Sequence, residues 1–589
     1  MDQTLLDGLR ASIRQCAERG LFSASKWSSE LLLAIPLSRR HIDDSESYAS
    51  TQLVDPPLVP PRHPLAPPLA IQPDEELQLE LEAAEEDALF SARTFLESRD
   101  PMRAIHCLRQ CSSTKAKFIE YYSHFIQATE NGAQRNWSKL DNNRHQPPEP
   151  LNPTVDVLLT AVLNATDPWL LYLKALFLSR FPMRRDEAIE SAILSIAGFP
   201  WNWGVWSLLS TCINDGGELS AILPLLPLPT VHPFVQMFQI KTMNELQAPS
   251  DHELGLCDQL LSPELFPNSL WIMSQRACAF YHAHDFKQAQ AQFERILEID
   301  PHRADNIDIF SDVLYVTDNR LKLSRLANDF LMLDRERPEV CCLVGNLYSQ
   351  RAEHEKAIKY FRRATQLDRT YLSAWTLMGH EHVEMKNSSA AIESYRRAIG
   401  LLPLVLVIAA LSFSPSIDVN RKDYRAWYGL GQAYELLNMH QYALHYYHNA
   451  TALRPYDVRL WQAQGMCYEE MGRLREAIEC FKRALITADP NEITINLRLA
   501  SLYAAQQDFA ESAAYHRRVV EVCQATGRPV HDFARSSIKV AEYYLETKNN
   551  LPLAKEYMKT LSVSNVEEVV RAAELLKLVN AALEGGPSS

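Results

Sequence analysis

The chain has 589 residues, 47% hydrophobic and 22% charged, with 73 acidic against 59 basic side chains for a net charge of −14. That composition is ordinary for a folded globular chain. An acidic balance with no long Lys/Arg run argues against nucleic acid or an anionic membrane as partner. The length would make roughly four ordinary domains, but a repeat array can absorb it as one continuous stack.

The chain opens with MDQTLLDGLRASIRQCAERG, which is polar and charged and carries no secretory leader. Its 11 cysteines include no CxxC pair; Cys341 and Cys342 are adjacent, and Cys107 and Cys111 lie one helical turn apart. An intracellular reducing compartment with free, mostly buried thiols is the simplest expectation. Residues 1–40 read as an N-terminal helical segment and residues 41–77 as a proline-rich linker. Within the linker, PPLVPPRHPLAPPLAIQP (56–73) cannot be helical.

From 78 to 257 a loose repeat is visible. Ala92, Phe95 and Ala104 fit one helical hairpin, Tyr172, Ala188 and Pro200 another, and Trp203 and Trp206 open a third. Residues 131–153 are polar and proline-bearing, which predicts a loop.

The repeat is sharpest in DYRAWYGLGQAYELLNMHQYALHYYHNATALRP, residues 423–455. With Tyr424 at position one, Trp427 falls at four, Leu430 and Gly431 at seven and eight, and Tyr434 at eleven. Ala443 then falls at twenty, Tyr447 at twenty-four, Ala450 at twenty-seven and Pro455 at thirty-two. This is the tetratricopeptide (TPR) pattern, with Tyr447 in place of Phe. Small residues at eight and twenty let helices A and B approach closely. Large ones at four, eleven and twenty-four fill the spaces between hairpins, and the proline ends helix B.

The register continues through Trp461, Gly465, Tyr468, Ala477, Phe481 and Ala484, and upstream through Trp375, Gly379, Ala391, Tyr395 and Ala398. One period earlier stand Gly345, Tyr348, Ala357, Phe361 and Ala364, and a further repeat starts near Leu270. The repeat from Ala304 is degenerate but keeps the length, and the one marked by Ala500 and Tyr503 is shifted by one residue. The expected fold is therefore all-α, a TPR superhelical solenoid of stacked antiparallel hairpins. Its blocks are residues 270–399 and 418–561, with a capping helix over 565–583.

Trp375 and Trp427 are 52 residues apart, one period plus 18, and the surplus is the uncharged apolar segment GLLPLVLVIAALSFSPSI, 400–417. Its apolar core, Leu401 to Phe413, is too short to span a bilayer. It reads as an insertion into the array, consistent with translated intron.

No motif announces catalysis. Gly429-Leu430-Gly431 lacks a third glycine and a preceding strand, so it is not a dinucleotide-binding turn. His380-Glu381-His382 does not make HExxH, because Glu384 stands where the second histidine is required. Neither a metal, a cofactor nor an enzyme activity is expected. The positive candidate is the groove lined by helix A at positions two, five, nine and twelve. Those positions hold Glu339, Cys342, Asn346 and Ser349, then Ser373, Thr376, His380 and Val383, then Arg425, Tyr428, Gln432 and Glu435. Such a mixture of amide, aromatic and charged groups suits an extended peptide.

Some stretches go beyond the repeat consensus. AERGLFSASKWSSELLLAIP (17–36), NIDIFSDVLYV (306–316), PEVCCLVGNLYSQRAEHEKAIKYFRRA (338–364), AWTLMGHEHVEMKNSSAAIESYRRAI (374–399) and DYRAWYGLGQAYELL (423–437) resemble the subunit 8 (cell division cycle protein 23) family of the anaphase-promoting complex. The resemblance implies a scaffold subunit of a multisubunit E3 ubiquitin ligase of the cell cycle, acting in mitosis in nucleus and cytoplasm. It implies as partners a second copy of the chain, other subunits of the complex, and WD40 coactivators. The homodimer surface would lie between about Leu79 and Cys257, and the coactivator C-box would enter the groove between Asn346 and Gln432. The C-box arginine would meet Asn346, Glu381 and Glu435. The alternative is a generic adaptor or cochaperone binding peptide tails. The basic clamp of that class needs lysine at position five, where Cys342 stands.

Overall fold

In the computed structural model the described residues are 3–40, 73–142, 152, 154–181, 184–247, 250–368, 371–399, 423–548, 550–562 and 569–584. The expected linker up to residue 72, the apolar insert 400–417 and the start of the cap at 565–568 lie outside them. The described residues form two compact units, one up to residue 374 and one made of 375–399 with the residues from 423 onward. Each unit is a succession of antiparallel helix pairs, and no strand occurs among the described residues.

The A–B contact explains the pattern. A Cβ added at Gly379 would stand 2.5 Å from the Tyr395 ring, and one at Gly465 would stand 2.7 Å from Phe481. Gly345 lies as tightly against Phe361, and Gly431 against Tyr447. In each case the position-eight glycine faces the position-twenty-four ring of its own hairpin. Those rings are buried, as are Ala357, Ala391, Ala443 and Ala477 at position twenty.

Helix A ends the same way in repeat after repeat. A residue with left-handed backbone recurs at position fifteen: His284, Asp318, Ala352, Lys386, Asn438, Gly472 and Gln507. The next N–H donates back five residues, as from Glu353 to the Tyr348 carbonyl and from Met439 to the Tyr434 carbonyl, both 2.9–3.0 Å. This Schellman closure satisfies orphan carbonyls of the last turn. The spacing is 34 residues except for 52 between Lys386 and Asn438 and 35 between Gly472 and Gln507. The 18-residue surplus and the one-residue shift are thus both present in the backbone.

Two boundaries differ from expectation. A helix Pro73–Ala84 begins inside the expected linker, because proline is tolerated in a first turn whose N–H groups have no partner. The expected loop 131–153 is helical as far as Asn142, in the helix Thr114–Asn142; only its later part carries the prolines. The cap is the helix Val569–Glu584, with Ala572, Leu575 and Val579 buried and Val570 exposed.

The N-terminal pair Gln3–Glu18 and Phe22–Ala34 is no separate domain. Trp27 stacks on Trp203 at 4.0 Å and meets Phe234 and Trp271 edge-on, each at 5.6 Å. Arg19 lies over Trp169 at 4.3 Å, Ser12 donates to the Trp201 carbonyl at 2.8 Å, and Glu18 pairs with Lys115 at 2.6 Å. The pair thus spans the A helices of successive hairpins in its unit.

Two predictions follow from this packing. Gly431→Leu should lower stability by about 1–3 kcal/mol or more, since the side chain has nowhere to go but into Tyr447; an unchanged melting temperature would contradict the close contact. Glu253 is 1% exposed, neither carboxylate oxygen has a hydrogen-bond partner, and burial raises its pKa from 4.5 to about 8. Nearby Cys257 and Cys278 are held neutral by the same burial. The unfolded chain loses this proton near its ordinary carboxylate pKa, whereas the folded chain keeps it to about pH 8. The associated stability is present at acid pH and is lost as pH rises towards 8. Glu253→Gln should therefore match the parent's melting temperature at pH 5 and exceed it by several degrees at pH 8.5; a gap independent of pH would contradict this.

Candidate functional site

The expected groove residues divide by unit. In the first unit Asn346 is only 4% exposed. Its amide donates to the Ser311 hydroxyl at 2.8 Å and to Asp312 Oδ1 at 2.7 Å. Asp312 also accepts from the Tyr281 hydroxyl at 3.2 Å, and Asp308, one turn earlier, accepts from the Tyr371 hydroxyl. Burial raises the Asp308 pKa to about 6, with Tyr371 opposing and Asp312 adding. The two aspartates were not singled out from sequence because the Ala304 repeat is degenerate. Counting from Ala304, however, puts them at positions five and nine, the same groove positions used elsewhere.

In the second unit, Thr376 is buried and donates to Asp423 Oδ2 at 2.9 Å, while Asp423 Oδ1 caps the next helix at the Arg425 N–H, 3.0 Å. His380 Nδ1 lies 2.8 Å from the Tyr395 hydroxyl. Burial lowers its pKa to about 4, against the pull of Asp423, so it is neutral at physiological pH. Glu381 is buried. Asn346, Thr376 and Glu381 therefore do not stand open in a trough, as the position count implied. Helical spacing gives the face of a residue but not how deeply the neighbouring hairpin covers it.

The more open residues are Arg425, Tyr428, Gln432 and Glu435. The Gln432 amide donates to the Tyr428 hydroxyl at 3.1 Å, and the Tyr447 hydroxyl donates to Glu435 Oε2 at 2.6 Å. The Tyr447 ring that packs on Gly431 thus also fixes the Glu435 carboxylate. Gln432 and Glu435 line a cavity of about 550 Å³ together with Val383, His440 and Glu470. Its two carboxylates, with the side-chain amides of Gln432 and Asn438, suit a cation on an apolar stem. His440 and Glu470 went unnoticed in the sequence because they belong to the start of helix B and the end of the next helix A, outside the four positions counted.

Trp427 and Tyr434 are buried. Trp375 carries Arg397 over its ring, Trp461 carries Arg483, and Tyr468 carries Arg473 at 5.0 Å. Among the described residues no cluster of three potential metal ligands occurs, and no helix is long and apolar enough to cross a membrane.

A family model for anaphase promoting complex subunit 8 / Cdc23 matches residues 4–277, and tetratricopeptide-repeat models match residues 338–371, 372–403 and 458–489. The chain is 34% identical over 405 residues to anaphase-promoting complex subunit 8 of Arabidopsis thaliana, covering 65% of this chain and 66% of that protein. It is 40% identical over 228 residues to the subunit of that name in Dictyostelium discoideum, covering 38% and 37%. Anaphase-promoting complex subunit CDC23 of Saccharomyces cerevisiae is 28% identical over 447 residues, covering 65% and 70%. The matches thus span two thirds or less of the first two relatives. The crystal structure of the APC/C hetero-tetramer Cut9-Hcn1 matches 86% of this chain and 94% of that one with a TM-score of 0.52 and 18% identity, a likeness of fold. Paired helices closed every 34 residues, with the family match running from the N-terminal pair through the first repeats, place the chain in the anaphase-promoting complex subunit 8 (Cdc23) family.

Proposed function

We propose that this chain is a non-catalytic TPR scaffold subunit of the anaphase-promoting complex E3 ubiquitin ligase, acting in nucleus and cytoplasm. Its proposed partners are other subunits of that complex, a second copy of itself, and WD40 coactivators. The observation that carries the reading is the carboxylate-lined cavity of the second unit at Gln432, Glu435 and Glu470. An arginine there exchanges its water for charge-assisted hydrogen bonds in a partly enclosed site. In the first unit, Asp308 and Asp312 beside the Asn346 amide make a separate acceptor-rich cluster.

The proposed homodimer surface between Leu79 and Cys257 carries exposed Leu79, Phe90, Val157 and Leu194, side chains suited to burial against a second copy. The cochaperone alternative fares worse: Cys342, where that class needs a lysine, is fully buried.

Calorimetric titration of the full-length chain with a coactivator C-box peptide tests the groove. Glu435→Gln should weaken binding about tenfold by removing one charge-assisted partner, and Gln432→Ala by less. Asn346→Ala should weaken it too, with some loss of thermal stability, because Asp312 loses a donor. Unchanged affinity in all three variants would remove these residues from the site.

A further inference from the structure

The repeat headed by Pro338 lacks its tryptophan. Position four holds Trp375, Trp427 and Trp461 in other repeats but Cys341 here. Elsewhere the indole has regular partners. Arg397, 22 residues after Trp375, lies over its ring at 4.9 Å, and Arg483 stands in the same relation to Trp461, also at 4.9 Å. Trp427 stacks on Tyr446, at position twenty-three, with centroids 6.0 Å apart. The indole N–H of Trp461 donates to the carbonyl six residues earlier, Pro455, at 2.7 Å, and Trp206 does the same to Pro200 at 2.8 Å.

All three kinds of partner are present in the Pro338 repeat without the ring. Arg363 stands 22 residues after Cys341, Tyr360 occupies position twenty-three, and the Arg335 carbonyl lies six residues before. Between them is a cavity of about 230 Å³, floored by Leu331, Val340 and Val344. A cavity of about 150 Å³ is enough to hold benzene. The Cys341 thiol, 2% exposed, fills little of the space and points a weak donor at the Arg335 carbonyl, 3.7 Å away. Arg335 and Arg363 are exposed at the mouth, and Arg363 makes a loose ion pair to Glu336 at 3.8 Å.

We propose that this cavity is a docking site for a tryptophan side chain presented by a partner protein. The inserted indole takes the place that the repeat's own tryptophan takes elsewhere. Its face meets Arg363, its edge meets Tyr360, and its N–H reaches the Arg335 carbonyl. A phenyl or leucine side chain fills part of the volume but offers the Arg335 carbonyl no donor beyond the weak Cys341 thiol. The exposed arginines favour carboxylates beside the tryptophan in the partner. The site uses positions three, four and seven of helix A, so it is independent of the groove positions and of the reading built on them.

The test uses full-length protein with isotope-labelled methyl groups and N-acetyl-tryptophanamide as probe. Saturable shifts at the Leu331, Val340 and Val344 methyls are expected, with N-acetyl-leucinamide at least fivefold weaker. Arg363→Ala should weaken the probe about fivefold through loss of the cation–π contact. Cys341→Trp should abolish probe binding and raise the melting temperature, because the variant supplies the ring in cis. Absence of shifts at these methyls, or equal shifts in Cys341→Trp, would overturn the proposal, as would a lowered melting temperature in that variant. If Cys341→Trp does not fold, Arg363→Ala decides: unchanged probe affinity overturns the site.

Discussion

The contact on which the rest depends is the one between a glycine at position eight and an aromatic ring at position twenty-four of the same hairpin. Ring and backbone are in van der Waals contact, so helix A and helix B sit closer than side chains on both would allow. That fixes the rotation of helix A about its axis. Positions nine and twelve then reach the hydroxyl end of the position-twenty-four ring, as His380 does at Tyr395 and Glu435 at Tyr447. The Tyr447 ring shows the coupling most directly: it packs against Gly431 with one face while its hydroxyl orients Glu435, a residue of the candidate site. The same contact that sets the fold sets the geometry of the carboxylate.

A second constraint is the length of helix A. The left-handed residue at position fifteen closes the helix at the same point each time, and six of the seven residues there are not glycine. Left-handed backbone is costly for such residues, so the hairpin packing must hold them there. Because closure is set locally, the same left-handed turn recurs at Lys386 and at Asn438, 52 residues apart. The period itself is a product of two local devices, a tight A–B contact and a fixed turn.

What was legible in the sequence follows from that locality. Trp427, Gly431, Tyr434 and Ala443 act within one hairpin, so a count along the chain places them. Burial does not obey such a count. Asn346 and Thr376 lie on the expected face, yet each is closed over by an acidic group from another helix, Asp312 in one case and Asp423 in the other. The N-terminal pair was legible as helical but not as part of the core, because Trp27 and Trp203 are 176 positions apart and nothing periodic links them. Asp308 and Asp312 were hidden by a repeat with poor consensus, although its length kept the register intact. The missing tryptophan at Cys341 was visible as a letter, but its consequence appears only when the unoccupied volume is seen beside Arg363 and Tyr360.

These features fit a protein that works by holding others: a repeated helical backbone, a cavity lined by carboxylates and amides, and exposed apolar side chains along the N-terminal unit. The scaffold account is tested most directly by the mass of the native particle that contains this chain. The account predicts an assembly many times heavier than the 67.1 kDa polypeptide, containing cullin and RING subunits and two copies of this chain. A lone monomer, or a small complex with chaperones and no ligase subunits, would contradict it.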